Sequence, residues 1–378
     1  MKATSIKGKT AAEIDVALEK LLANDYQPTL AIVFLSVLDE IPAITSLLNK
    51  KGIAIFGATT FAEFTEQDAE NVGIAVLLLD INPAYFKIIL KDNEEGSGYE
   101  IGRHIGETGT QTFANPAFII SSANYKIHGA SIIKGMVEKA GEDVTIVGGK
   151  AGEIINMEGK VFTNSQSSDN AVISLILNQD KITLKGMAAS GWKPAGTEKK
   201  ITHCKGPWIY KIDDQPAFDI VKKFLGNDIV QDKNKEGIVK LNIIYPLQLY
   251  REGGSPYMLP ILFANTEDNS VMLAEEVPEG SLFRFSMPPD FEVIDMVIKS
   301  CQEVKEKEMP DADALVIFSC IGRLGSLGPM ASKEVEGLAD TWNSPMIGFY
   351  SLGEFGRVAN GNTEFHGTTV SWVALKEK

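Results

Sequence analysis

Residues 314–328, ALVIFSCIGRLGSLG, bring a hydroxyl, a thiol and a guanidinium together directly after an apolar segment. The apolar part predicts a buried strand that ends at Ser319 and Cys320. Gly322 and Arg323 follow, and ligands of α/β sheets bind at the carboxyl ends of strands. Arginine suits a carboxylate because its fork matches both oxygens, and glycine lets a ligand approach the backbone. The segment predicts a ligand site; the alternative is a core cysteine, an arginine paired with a surface acid, and a glycine turn.

A second polar strand end is predicted in residues 346–355, MIGFYSLGEF. Tyr350 and Ser351 add hydrogen-bond donors, and Gly353 and Glu354 complete the turn. An aromatic ring suits the wall of a small pocket, and a carboxylate can hold an ammonium group. An arginine and a glutamate that face each other across one pocket complement a zwitterion. We therefore expect a small-molecule ligand here, with an amino acid or a similar metabolite as the hypothesis.

Cys320 also permits catalysis. With Glu354 and His366 it could form a thiol-nucleophile site. The alternative is that His366 lies at the start of a strand and makes its hydrogen bonds within the fold. In addition, the sequence around Cys320 matches no known thiol-enzyme signature. We favour a binding protein over an enzyme and keep the thiol enzyme as an alternative. A third hypothesis is a protein-interaction scaffold whose two lobes present a surface.

The polar turn of residues 346–355 is one of three similar segments in the chain. The others are residues 55–64, IFGATTFAEF, and 146–154, IVGGKAGEI. Each is a short apolar strand, a glycine, a few small or aromatic residues, and then a glutamate. A glutamate just beyond a strand caps backbone N–H groups, so we interpret the first two turns as structural. The residues to which we assign that structural role are Gly57, Glu63, Gly148, Gly149 and Glu153.

Each turn lies in the same predicted context. An apolar strand and an amphipathic helix precede it, and another apolar strand follows it, so the repeated unit reads β-α-β-β. A strand–helix–strand connection of this length implies parallel pairing, and continuous apolar strands imply a sheet covered on both faces. Residues 182–300 differ, since strands separated by turn residues predict an antiparallel region. The fold class is mixed α/β with two lobes, and residues 227–237 are interpreted as a linker.

Composition narrows the functional classes. The formal net charge of −14 opposes nucleic-acid binding. The amino terminus has no signal peptide, and no apolar run is long enough for membrane insertion, so we expect a cytoplasmic protein. Three cysteines without a CxxC pair and four scattered histidines predict neither disulfides nor a metal site. We expect no cofactor.

Several of these motifs resemble the FIST family. IFSCIGR, GFYSLGEF and FHGTT resemble the Phe-Ser-Cys-x-Gly-Arg, Gly-Phe-Tyr-Ser-x-Gly-Glu and Phe-His-Asn-x-Thr elements of its C-terminal domain, with Gly367 in place of the usual asparagine. IFGATTFAEF, VGGKAGEI, GWKPAG (191–196) and YPLQL (245–249) resemble other elements of the family more loosely. The resemblance implies a FIST N-like domain over residues 1–205, a FIST C-like domain over 206–378, and a sensory module for signal transduction. It also implies a small ligand, with amino acids proposed, and a separate signalling partner protein.

Overall fold

The computed structural model describes the chain except residues 70–72, 95, 124–125, 153–157, 227–229, 234–237, 242–245, 251–255 and 288. The fold is mixed α/β, as predicted, and the repeated unit is longer than β-α-β-β. Another strand and another helix precede each unit, so every repeat contains the order β-α-β-α-β-β-β. The second repeat has one additional strand, and the third has one additional helix and one additional strand besides its long insertion.

The first repeat opens the chain. Its elements are β1 (Lys2–Gly8), α1 (Ala11–Leu22), β2 (Leu30–Leu35), α2 (Ile41–Lys50), β3 (Ala54–Thr59), β4 (Glu63–Thr65) and β5 (Ile74–Asp80). The second repeat contains β6 (Phe86–Asp92), α3 (Gly98–Thr112), β7 (Pro116–Ser122), α4 (Gly129–Ala140), β8 (Thr145–Lys150), β9 (Val161–Phe162), β10 (Ser167–Ser168) and β11 (Ala171–Asn178).

The third repeat begins with β12 (Ile182–Ala189) and is then interrupted by an antiparallel region, which we call the insert. The insert contains β13 (Pro194–Lys205), β14 (Trp208–Ile212), β15 (Gln215–Pro216), α5 (Ala217–Leu225), β16 (Val230–Lys233), β17 (Ile238–Leu241), β18 (Leu247–Leu249), β19 (Tyr257–Leu259), β20 (Ile261–Asn265), β21 (Ser270–Leu273) and β22 (Leu282–Ser286). The repeat resumes with α6 (Phe291–Lys307), β23 (Ala314–Cys320), α7 (Ile321–Leu327), α8 (Ala331–Trp342), β24 (Met346–Ser351), β25 (Glu354–Arg357), β26 (Thr363–His366) and β27 (Val370–Glu377).

Within each repeat the pairing follows the prediction. The strands on either side of the second helix are parallel, namely β2 with β3, β7 with β8, and β23 with β24. The last strand of each repeat runs antiparallel to the first of those two. The predicted helix stops are also present: α4 ends before Gly141 at φ 90°, and α8 ends before Asn343, which is left-handed at φ 54°.

Each short strand after a turn leaves its own repeat and joins another sheet. β4 of the first repeat pairs with β24 of the third, β25 of the third pairs with β8 of the second, and β9 of the second pairs with β3 of the first. The exchange is closed, so every repeat donates one strand and accepts one. We call β4, β9 and β25 the donated strands.

The three sheets share one central core. Side chains alternate along β2, so Leu30, Ile32 and Phe34 enter the central core while the residues between them face the helices. Phe34 lies 4.6 Å from Phe349 and 5.9 Å from Phe318, ring centroid to ring centroid, with edge-to-face geometry. Such pairs add roughly 1 kcal/mol each to what burial contributes. The core therefore joins repeats that are distant in sequence.

The insert forms a separate antiparallel sheet in the order β16-β17-β20-β21-β14-β13-β22-β18-β19, with its own apolar core. The predicted linker of residues 227–237 lies mostly outside the described residues, and its described part is β16, paired with β17. The predicted boundary at 205/206 falls in the turn between β13 and β14. In the part of the chain that the structure describes, no helix is both long and apolar enough to cross a membrane.

Candidate functional site

The three turns occupy equivalent positions, which we call the first, second and third strand ends. In each one, a residue at the end of the strand donates its backbone N–H to a carbonyl beside the donated strand. This residue is the last of β3 and of β8, and the next to last of β24. These bonds are Thr59 to Lys160 at 2.8 Å, Lys150 to Gly353 at 2.8 Å and Tyr350 to Ala62 at 2.9 Å. The side chains at the three ends can therefore be compared position by position.

The first strand end is built around Glu63, whose side chain is fully buried. Thr60 Oγ1 donates to Glu63 Oε2 at 2.6 Å, and Ser36 Oγ donates to Oε1 at 3.2 Å. Burial raises the pKa of Glu63 to about 7, against the opposing effect of the hydrogen bonds from Thr60, the Gly73 backbone and Ser36. This carboxyl therefore titrates near neutral pH.

The third strand end repeats that arrangement around Glu354. Ser351 Oγ donates to Glu354 Oε1 at 2.6 Å, and the Thr369 backbone N–H donates to Oε2 at 3.2 Å. The Cys320 thiol lies beside the same carboxyl, in the place that Ser36 has at the first end. Burial raises the pKa of Glu354 well above its ordinary value. The structure thus brings Cys320, Ser351 and Glu354 together at the third strand end.

The second strand end lacks those donors. The positions that correspond to Ser36 and Thr60 are Ala123 and Ala151, as their equivalent backbone bonds show. The predicted turn residue Glu153 lies outside the described residues. Gly148 and Gly149 lie in β8, where they face the donated strand β25. The polar turn is therefore common to the first and third ends.

A cavity of about 440 Å³ opens at the first strand end. Ser36, Thr59 and Thr60 line it, so the two hydroxyls that donate to Glu63 also face this space. Leu38 and Phe61, which are 52% and 39% exposed, add apolar surface. The charged residues that line the cavity are Glu158, Lys160 and Asp169. Lys160 and Glu158 precede β9, so a donated strand supplies one wall.

Among the described residues, charged side chains form buried ion pairs at the other two strand ends. At the second end Lys150, the counterpart of Thr59, forms an ion pair with Glu275 of the insert at 3.1 Å. At the third end, beside Tyr350, the fully buried Arg323 forms an ion pair with Glu334 of α8. Among the three equivalent positions, the first is the one at which a cavity is described.

Arg323 is engaged by the protein itself. Its Nε donates to Glu334 Oε1 at 3.0 Å, its Nη2 pairs with Oε2, and its Nη1 donates to the backbone oxygens of Ser190 at 2.7 Å and Thr368 at 3.2 Å. A ligand carboxylate could reach the guanidinium only after Glu334 had moved. Arg323 and Glu354 do not face each other across an open pocket here.

The remaining predicted residues of the third end are also enclosed. Ser319 is buried, and its Oγ has no hydrogen-bond partner among the described residues. Gly322 packs against Thr368 and Cys320, and Gly353, at φ 152°, packs against the ring of Phe365. Tyr350 is buried, with its ring 5.3 Å from that of Phe64. These residues form a packed polar cluster.

The surroundings of Cys320 oppose formation of a thiolate at the predicted thiol site. Burial, and then the neighbouring Glu354, raise the pKa of Cys320 well above its ordinary value. His366 pairs with Glu354 across strands β25 and β26, and its Nε2 lies 3.2 Å from the Gly356 oxygen. A reactive cysteine needs a lowered pKa and exposure, and Cys320 shows neither in this structure.

Sequence reasoning missed Ser36, Thr60, Lys160 and Glu275. The spacing of Thr60 to Glu63 equals that of Ser351 to Glu354, a hydroxyl three residues before a glutamate, so Thr60 had a usable signal. Lys160 and Glu275 had none, because strand exchange and the insert bring them in from distant segments.

Comparison with protein families agrees with the sequence motifs. A model of the FIST N domain matches residues 29–215, and a model of the FIST C domain matches residues 217–357. A search of curated proteins gives no match. The two matched ranges cover most of the chain and include all three strand ends. The chain therefore belongs to the FIST family.

Proposed function

We propose that this chain is a small-molecule-binding sensory protein and that the cavity at the first strand end is its ligand site. FIST domains are generally associated with sensing and signal transduction. The observation that supports this site best is the comparison of the three ends: charged side chains fill the second and third, and the first has a cavity of about 440 Å³. That volume lies within the range of small-molecule pockets.

The lining fits an amino acid or a similar small metabolite. Lys160 offers a cation for a carboxylate, and Glu158 and Asp169 offer anions for an ammonium group. Leu38 and Phe61 provide an apolar wall for a side chain. The arginine–glutamate pair that we predicted for zwitterion binding is thus replaced, in this proposal, by Lys160 and two acids at another repeat.

The third strand end remains the second candidate site. Its predicted residues are Ser319, Cys320, Gly322, Arg323, Tyr350, Ser351, Gly353 and Glu354. A ligand there would have to separate Arg323 from Glu334, two charges that are both buried. Thiol catalysis is the weaker alternative because burial keeps Cys320 protonated. We also propose a cytoplasmic location and a separate partner protein that receives the signal.

A thermal-shift screen against amino acids and related metabolites tests the proposal. A specific ligand at a hundred times its Kd adds about 2.7 kcal/mol to the free energy of unfolding. We expect the Lys160→Met variant to lose most of the shift for ligands with a carboxylate. Lys333→Met, which removes an exposed lysine on α8, is the matched control and should keep it.

A Cys320→Ala variant separates the alternatives. We expect it to bind the same ligand with unchanged affinity. If it loses binding while Lys160→Met retains it, the site lies at the third strand end. If no metabolite shifts any variant while the protein captures a partner through its surface, the scaffold hypothesis is favoured.

A further inference from the structure

Glu275 places a carboxylate of the insert inside the second repeat. Its Oε1 accepts from the Gly129 backbone N–H at 2.8 Å and from Lys150 Nζ at 3.1 Å. His128 Nδ1 lies 3.4 Å from its Oε2. The side chains of Glu275 and Lys150 are only 4% and 3% exposed. The carboxylate is thus enclosed, although it comes from outside the repeat.

Among the described residues, the polar groups that contact this carboxylate belong to the second repeat. Lys150 ends β8, Gly129 is the first residue of α4 and His128 is its N-cap. The amino terminus of this 12-residue helix adds partial positive charge. The ring of Phe365 covers Lys150 at 4.5 Å, and a side chain at Gly129 would come within 2.3 Å of that ring. We call Lys150, Gly129 and His128, with Phe365 behind them, the cradle.

The electrostatics are those of a bound anion. Burial opposes ionisation of Glu275, and Lys150, His128 and the Gly129 N–H outweigh it, so the pKa of Glu275 is lowered. The same contact with Glu275 raises the pKa of His128. A lysine, a histidine and a helix amino terminus therefore meet the carboxylate of Glu275, which reaches them from the loop after β21 of the insert.

We propose that the second strand end is a carboxylate-binding site whose resident occupant is Glu275, and that a small carboxylate that displaces Glu275 releases this edge of the insert. The cradle stands where the first repeat has its cavity, because Lys150 corresponds to Thr59. A contact that a soluble carboxylate can replace makes the position of the insert responsive to ligand. This proposal does not depend on what binds at the first strand end.

The Glu275→Ala variant tests the site, because the atoms that it removes beyond Cβ have the shape and charge of acetate. We expect its Tm to fall by roughly 5 °C or more, since the change removes a buried carboxylate that faces the buried ammonium group of Lys150. Acetate should then restore the Tm saturably, and acetamide or chloride at matched ionic strength should not. Glu276→Ala removes an exposed neighbouring acid and should respond to none of the three.

Hydrogen exchange of residues 257–286 tests the release of the insert. In Glu275→Ala, exchange in this segment should be faster than in the wild type. It should stay fast when acetate restores the Tm, because acetate fills the cradle without reconnecting the two sheets. Exchange that acetate slows to the wild-type rate would contradict the release.

The carboxylate site is refuted if acetate raises the Tm of Glu275→Ala no more than acetamide does. It is also refuted if acetate raises the Tm of Glu276→Ala as much as that of Glu275→Ala. Should Glu275→Ala be recovered only unfolded, the same comparison is made by refolding. A higher yield of folded protein in acetate than in acetamide supports the site, and equal yields overturn it.

Discussion

Glu63 and Glu354 are buried carboxyls that each accept hydrogen bonds from a hydroxyl three residues earlier and from a backbone N–H. They differ in what lies beside them. Ser36 and Thr60 connect Glu63 to a cavity, whereas the surroundings of Glu354 are packed. The protonation of Glu63 therefore sets the direction of hydrogen bonds that a ligand would meet. An ionised Glu63 accepts a hydrogen bond from each of the two hydroxyls, so their oxygens remain available as acceptors toward the cavity.

The Glu63→Gln variant should change how stability depends on pH. The folded state holds the Glu63 proton up to about pH 7, against a reference pKa of 4.5, so the folded protein binds more protons between those values. The contribution of Glu63 is thus fully present below pH 4.5 and is lost as pH rises through about 7. Relative to the wild type, the variant should gain about 3 kcal/mol of unfolding free energy between pH 4.5 and 8.

Urea unfolding at a series of pH values measures this difference. Glu354 is present in both proteins, so its own pH dependence cancels in the comparison. Asp39→Asn, at an exposed position near the same strand end, is the control and should follow the wild-type curve. Parallel curves for the wild type and Glu63→Gln would show that Glu63 titrates normally.

At the scale of elements, strand exchange depends on glycines that face aromatic rings. Gly57 pairs with Phe162 of the donated strand β9, and Gly348 pairs with Phe64 of β4. A Cβ at either glycine would come within 2.3 Å of the opposing ring. The aromatic ring of the donated strand therefore occupies the space that a side chain at the glycine of the accepting repeat would need.

Gly57→Ala should destabilise the protein by about 1–3 kcal/mol, because the added methyl group must displace the Phe162 ring in a packed core. Gly325→Ala is the matched control, since a Cβ there meets no atom within 4 Å. Chemical denaturation of the two variants gives the comparison. Equal stability of Gly57→Ala and Gly325→Ala would mean that β9 shifts freely on β3.

The elements show why part of the fold was predictable. Local patterns carry the strands, the helices and their ends at Gly141 and Asn343. The partners of the donated strands are not local, since Phe64 of β4 pairs with Gly348 of β24, far along the chain. A three-residue strand also has too little pattern to specify its neighbour. The same exchange brings Lys160 to the cavity at the first strand end. The turn of that site could therefore be predicted from local sequence, whereas the wall that contains Lys160 could not.

At the scale of the whole molecule, the strand exchange crosses the boundary that we predicted between the FIST N-like and FIST C-like segments. If residues 1–205 were separated from the rest, three of their strands would lose a pairing partner: β4 would lose β24, β8 would lose β25, and β12 would lose β27. Unpaired strand edges of this kind expose backbone groups and promote aggregation. The central core also loses Phe318 and Phe349.

A fragment of residues 1–205 should therefore not fold alone, and co-expression with residues 206–378 should restore a folded complex. Circular dichroism during heating and size-exclusion chromatography report this directly. The control is the whole chain cleaved between residues 205 and 206, in the turn between β13 and β14, which keeps both pieces and should stay folded. A compact monomeric fragment with a cooperative transition would contradict the prediction.

The closed exchange of strands also limits how such a protein can grow. In solenoid proteins each repeat contacts only its neighbours in line, so repeats can be added one at a time. Here the donated strands run from the first repeat to the third, from the third to the second and from the second to the first. Rotational closure fixes the number of subunits in a cyclic oligomer, and it fixes the number of repeats in this single chain in the same way. A duplicated repeat would supply a strand with no acceptor, so new material can enter only within a repeat, as it has between β12 and α6.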